Sequence, residues 1–284
     1  MSIGLIALLA SFGGGILGAT LGALPAITLW GLIVLYASVA SLVTGNPDLV
    51  ATIAFNPAFG PQVVYGGAVA ALTYAWKKGV VPSGLDFLKP LAPFNRPDVM
   101  LVGGIFGVIG YIISEVAVSW PTDHIAISVV ITGWLARLLW DRGWLKSRRA
   151  DGGAGSCLPG RLELLNQVLF GAGVGIASGY AAVSIGSPFI VFGLSLVFLL
   201  LIQMGFNFSP FHHIAVIASL VAVTGNGTPV AFLWTVIVSI ILAIVNNIIF
   251  KLWIPKTNSY IDPPVTCIAI GASIMAALTA LEWL

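Results

Sequence analysis

The stretch Phe55-Asn56-Pro57-Ala58-Phe59-Gly60-Pro61-Gln62 interrupts an apolar run that extends from about residue 49 to residue 76. Two prolines and a glycine so close together end an α-helix, because proline lacks the backbone N–H and its ring clashes with the preceding turn. In hydrocarbon, a broken backbone is tolerated only where protein or a water-filled cavity surrounds it, since unpaired peptide groups are costly there. We therefore predict that this break lines a solute path.

The composition around the break is that of an integral membrane protein. Of the 284 residues, 58% are apolar and 8% are charged, whereas a soluble domain carries roughly a quarter of charged residues. The mean hydropathy is +1.05. No basic tract contains interleaved aromatic residues, so the lipid bilayer, and not nucleic acid, is the expected partner.

The apolar segments predict an all-α polytopic membrane protein with about ten transmembrane helices. The longest polar stretch, residues 141–163, is predicted to be a basic linker on the cytoplasmic side, between a first part at residues 1–140 and a second at 164–284. The predicted spans are residues 3–24, 26–44, 49–76, 99–120, 125–140, 164–183, 188–204, 211–223, 230–254 and 265–284.

The distribution of basic residues supports this count. With ten spans, the loops after spans one, three, five, seven and nine share one compartment, and all 12 Lys and Arg residues lie in or beside them. The positive-inside rule therefore predicts a protein of the cytoplasmic (inner) membrane with both termini outside. If spans one and two, or spans seven and eight, did not cross the membrane, the basic residues would still lie on one side, so their distribution does not test these pairs.

Short motifs recur in the same order in the two parts of the chain. Five spans in each part is an odd number, so a second copy would enter the membrane from the opposite side. We therefore predict two inverted five-helix repeats with broken helices, and a substrate path at their interface. The matched motifs are Phe12-Gly13-Gly14-Gly15-Ile16 with Phe170-Gly171-Ala172-Gly173-Val174, Trp30-Gly31-Leu32 with Phe192-Gly193-Leu194, Asn56 with Asn207, and Asp123 with Asp262.

Polar residues at the two breaks are the main predicted lining of the path. Asn56 and Gln62 offer neutral donors and acceptors beside freed carbonyl groups, which suits an uncharged solute or a dehydrated cation. The alternative is that Asn56 only caps the half-helix after the break. The complete predicted set is Asn56, Pro57, Gly60, Pro61, Gln62, Glu115, Asn207, Ser209, His212, His213 and Asn246.

Glu115 and the two adjacent histidines are the ionisable members of this set. Glu115 lies within the fourth predicted span, far from every basic loop, and an ionisable group inside a membrane is a functional candidate. The alternative is an interfacial glutamate that reaches outer water. His212 and His213 point to different helix faces, which makes them a poor metal-binding pair, so one is expected to line the path, where proton relay is a further role.

The expected function is that of a channel or secondary permease for a small neutral or cationic solute. The sequence contains no zinc-binding His-Glu-x-x-His motif, phosphate loop or nucleophile elbow, so neither an enzyme activity nor a cofactor or metal is expected. The alternative is a membrane-embedded structural subunit of a larger complex, in which the glycine-rich faces dock other helices. A homo-oligomer is compatible with either function.

Overall fold

The computed structural model describes residues 3–142, 158–255 and 257–284, and these residues form helices and connecting segments without a strand. Most of the predicted linker, including Lys146, Arg148 and Arg149, lies outside the described residues. A one-residue turn at Phe198 divides the helix Pro188–Gln203. The helices are α1 (Leu5–Leu21), α2 (Ala23–Thr44), α3 (Asp48–Ala54), α4 (Pro61–Lys77), α5 (Pro97–Val116), α6 (His124–Trp140), α7 (Arg161–Ile185), α8 (Pro188–Gln203), α9 (His212–Thr224), α10 (Pro229–Trp253) and α11 (Pro263–Ala280).

Five of these helices are long and apolar enough to cross a membrane, namely α2, α5 with its extension to Ser119, α7, α10 and α11. The helices α1, α6, α8 and α9 are also apolar but shorter. The all-α prediction is confirmed, and the apolar helices are compatible with a membrane protein. The count of ten spans and the inverted repeats stay predictions.

The third predicted span is divided into α3 and α4. The first helix ends at Ala54, turns follow at residues 55–60, and α4 begins with Pro61 as its first residue, a position that needs no N–H. Of the 17 residues of α4, 14 are buried. Because α1, α2, α5 and α6 pack around it, α4 is surrounded by protein and does not need a lipid-facing side.

Two groups of three helices form the body of the protein. In the first group, α1, α4 and α5 approach each other at Gly15, Gly67 and Gly103, and a side chain at Gly15 would overlap the carbonyl oxygen of Gly103. In the second group, α7, α9 and α10 pack together, and Gly171 of α7 lies against the backbone of Ser239 and Ile240 in α10. Glycine is required at these crossings because the backbones themselves are in contact.

Two antiparallel helix pairs join the groups. In the pair α2 and α8, Gly31 lies against Gly193, and Gln203 Nε2 donates a hydrogen bond of 2.6 Å to Thr28 Oγ1. Thr28 lies opposite Gln203 and Gly31 lies opposite Gly193, so the residue numbers increase along α2 as they decrease along α8. The two helices are therefore antiparallel.

The second pair consists of α6 and α11. Thr122, before α6, donates a hydrogen bond of 2.8 Å to the carbonyl oxygen of Ala269. Gly133, further along α6, lies against Ile261 just before α11. The order of these contacts again makes the two helices antiparallel.

A buried polar cluster fixes the segment that leads into α11. Arg137, 1% exposed, donates hydrogen bonds to Ser259 Oγ at 2.8 Å and to the carbonyl oxygens of Ser259 and Trp253 at 2.7 and 2.9 Å. The Asp141 carboxylate accepts from Ser259 Oγ at 2.7 Å and from the backbone N–H of Asn258 at 2.9 Å. These bonds hold the segment against the end of α6 and thereby place the start of α11.

Candidate functional site

A cavity of about 380 Å³ lies between the two helix groups, bordered by α2, α4, α6, α8, α9 and α11. This volume is in the range of small-molecule sites. Trp120, which lines the cavity before α6, is 47% exposed, so the cavity reaches the protein surface there. Most of the wall is apolar, and its polar side chains other than tryptophan are Thr122, Asp123, His124 and His212.

Four aromatic rings form one side of the cavity. Trp30 contacts Phe55 and Phe192 edge to face, with ring centroids 5.2 and 5.6 Å apart, and Phe55 contacts Phe189 at 5.8 Å. Trp30 Nε1 also donates a hydrogen bond of 2.6 Å to the carbonyl oxygen of Ala54, the last residue of α3. The same side chain therefore lines the cavity and pairs a carbonyl group that the helix break leaves free.

Of the described helices, four begin at the cavity, since Pro61, His124, His212 and Val265 belong to its lining. The N–H groups at a helix start lack partners within the helix. No side chain caps α4 or α9, whereas aspartates cap α6 and α11.

Asp123 and Asp262 occupy equivalent positions before α6 and α11. Asp123 accepts a hydrogen bond from the backbone N–H of Ala126 at 2.7 Å, and Asp262 accepts one from Val265 at 2.8 Å. Asp262 also accepts a hydrogen bond from the hydroxyl of Tyr65 and does not line the cavity. Asp123 alone of this pair therefore offers its carboxylate to the cavity.

The adjacent histidines at the start of α9 are both buried. His212 lines the cavity, and its Nδ1 has no hydrogen-bond partner among the described residues. His213 does not belong to the lining, and both of its ring nitrogens are buried without a partner in the same part of the chain. The two ring centroids are 5.7 Å apart, so the two side chains point in different directions although the residues are adjacent in the chain.

Among the other residues predicted to line the path, those of the first break surround Pro61 without reaching the cavity. Asn56 Nδ2 donates to the carbonyl oxygens of Thr52 and Ile53, and its Oδ1 accepts from the N–H groups of Ala58 and Phe59 at 2.8 and 2.9 Å. Asn56 therefore joins the end of α3 to the turns that follow it, and it does not cap α4, whose N-cap residue is Gly60. Pro57 and Gly60 belong to the same turns, and Gln62 is buried with its Oε1 unpaired among the described residues.

The remaining predicted residues also lie away from the cavity lining. Glu115 is half-buried on α5, and Asn246 is half-buried on α10. Asn207 and Ser209 are exposed in the non-helical segment before α9. Pro61 and His212 are thus the members of the predicted set that line the cavity.

Sequence reasoning missed most of the cavity wall. Trp30, Phe189 and Phe192 stand in apolar segments, where an aromatic residue resembles any other core residue. The available signals were the motif matches, because both Trp30 with Phe192 and Asp123 with Asp262 were matched as repeats. Those matches indicated duplication and not a site.

The comparisons with known proteins give one family. A model described as "Family of unknown function (DUF7973)" matches residues 1–149 and 145–284. The chain belongs to this family. The two DUF7973 matches meet within the polar stretch at residues 141–163. No curated protein and no solved structure matches the chain.

Proposed function

We propose that the chain is a channel or secondary permease for a small neutral or cationic solute, with a path through the cavity between two inverted repeats. The observation that carries this proposal is the position of the cavity, which lies between the two helix groups at the start of both half-helices that follow a break. Substrate sites of inverted-repeat transporters have this relation to discontinuous helices.

The antiparallel helix pairs support the inversion. If α1 corresponds to α7, then α2 corresponds to α8, α4 to α9, α5 to α10 and α6 to α11. Equivalent helices then meet antiparallel in both contacts between the groups, as expected for a pseudo-two-fold axis perpendicular to the helices. Gly31 and Gly193, from matched motifs, contact each other reciprocally. The DUF7973 match to each half of the chain also supports a duplication.

The charges at the cavity support a neutral or cationic solute. Within the described residues, no Lys or Arg side chain lines the cavity, and Asp123 is the carboxylate in its wall. An anion would meet this carboxylate without a compensating side-chain cation. We place the protein in the cytoplasmic membrane with both termini outside, on the charge distribution described above.

Reconstitution into liposomes tests the proposal. We expect purified protein to accelerate the entry of some small neutral or cationic solutes, measured by light scattering after rapid mixing, relative to liposomes that contain heat-denatured protein. Absence of flux across a broad solute panel, with folded and inserted protein, would favour the structural-subunit alternative. Stable partner proteins that co-purify with the chain from its native membrane would support that alternative.

A further inference from the structure

We infer that the solute recognised in the cavity is an organic ammonium ion, held between the aromatic wall and the Asp123 carboxylate. The inference rests on the proposed function and narrows its substrate class. It is carried by the apolar lining, by the carboxylate oxygen of Asp123 that has no hydrogen-bond partner among the described residues, and by the aromatic rings of the wall.

The lining does not suit an inorganic cation. Ca²⁺ and Mg²⁺ take about six or more oxygen ligands, and no group of three or more His, Cys, Asp or Glu side chains among the described residues is placed to hold a metal ion. Asp123 supplies the carboxylate of the wall, and Thr122 supplies a hydroxyl that already donates a hydrogen bond of 2.8 Å to Ala269. The rest of the wall is mainly hydrocarbon and aromatic carbon, which favours a solute that has an apolar body.

The carboxylate of Asp123 favours a solute that carries a cationic group. Its Oδ1 accepts the capping hydrogen bond from Ala126 at 2.7 Å. Across residues 3–142, 158–255 and 257–284, no donor bonds its Oδ2 and no basic side chain forms an ion pair with it. A carboxylate beside an apolar wall gains from a cation that brings its own charge into contact.

The aromatic wall is complementary to the same cation. Aromatic faces attract ammonium groups within about 6 Å of the ring centroid, and clustered rings recognise quaternary ammonium ligands. Trp30, Phe55, Phe189 and Phe192 form a continuous set of contacting rings on the wall. Inorganic cations lack the methyl or methylene groups that would pack against these rings.

His212 supplies a further contact. It is 8% exposed and lines the cavity, and its Nδ1 lacks a partner in the part of the chain that the structure describes. That nitrogen is inaccessible to solvent, so a solute in the cavity would pack against other atoms of the imidazole ring.

The test compares choline with 3,3-dimethyl-1-butanol, which has nearly the same shape without the charge. Binding to purified full-length protein in detergent is measured by isothermal titration calorimetry. We expect choline to bind the unmodified protein about tenfold more tightly than the alcohol. Equal affinities for the two probes would overturn the inference.

Asp123→Asn removes the charge and preserves the helix cap, because asparagine caps as well as aspartate. We expect this variant to lose the preference for choline and to keep its affinity for the alcohol. Asp48→Asn is the matched control, since Asp48 is an exposed aspartate at the start of α3 and does not line the cavity. Unchanged choline affinity in Asp123→Asn would contradict the assignment.

A second variant tests the wall without touching the carboxylate. Phe189→Leu keeps an apolar side chain and removes a ring, so choline binding should weaken while binding of the alcohol changes little. Equal losses for both probes would overturn the role of the ring.

The two proposals fail in different ways. Flux of neutral solutes without choline binding would refute the ammonium inference and leave the permease intact. Choline binding without flux of any solute would refute the proposed transport function and would support a protein that binds ammonium ions without transporting them.

Discussion

Ala272→Trp is expected to reduce solute flux to the level of protein-free liposomes. Ala272 lies on α11, is partly exposed and lines the cavity. An indole ring at this position would occupy much of the open volume and block the path. The measurement is the initial rate of solute entry into proteoliposomes with equal amounts of folded protein.

Ala277→Trp is the matched control for this substitution. Ala277 lies on the same helix, is exposed and does not belong to the cavity lining. We expect its flux to equal that of the unmodified protein. If Ala272→Trp transports as fast as Ala277→Trp, the cavity is not the path.

Gly15→Ala is expected to lower the free energy of unfolding by about 1–3 kcal/mol, the usual effect of overpacking. The new Cβ would overlap the carbonyl oxygen of Gly103, and it would also approach the Cα of Gly104 at 3.1 Å. These neighbours are backbone atoms, so α1 and α5 must separate to accommodate the methyl group. Thermal unfolding in detergent, followed by size-exclusion chromatography, measures the change.

Gly13→Ala is the control in the same helix. A Cβ at Gly13 meets nothing within 4 Å, and alanine favours a helix over glycine by about 1 kcal/mol. We therefore expect this variant to be as stable as the unmodified protein or more stable. Similar melting of Gly13→Ala and Gly15→Ala would show that the three-glycine crossing does not hold the first helix group together.

The helices and the first break follow from the sequence because they depend on local chemistry. Proline and glycine at residues 57–61 end a helix whatever surrounds them, and α3 and α4 are divided there. The sequence predicts that Asn56 either lines the path or caps the half-helix after the break. Its four hydrogen bonds instead reach backbone groups of α3 and of the turns, and α4 has no side-chain cap.

The cavity depends on contacts between distant parts of the chain, which a single sequence does not display. Arg137 appears in the sequence as one more basic residue near a predicted cytoplasmic loop. In the structure it is buried and holds Ser259, more than a hundred positions away. Trp30 and Phe192 belong to matched motifs, but their contact arises from the packing of α2 against α8, one of the two helix pairs that join the groups.

The polar residues of the predicted set illustrate a further limit. Polar side chains within apolar segments predict the lining of a path, and this criterion selects Glu115 on α5 and Asn246 on α10. Both lie away from the cavity lining, whereas its wall is mostly apolar. The residues of a mostly apolar site cannot be distinguished in the sequence from the other apolar residues of membrane-spanning helices.

Cysteine labelling of the cavity tests the central claim most directly. A single cysteine is introduced by Ala272→Cys into a chain with Cys157 and Cys267 replaced by serine and alanine, and membrane-impermeant thiol reagents are applied to each side of the membrane in turn. If the cavity is a path, the cysteine reacts from both sides, and solutes that are carried slow the reaction. Reaction from one side alone, or from neither, with the protein folded and inserted, would contradict the account.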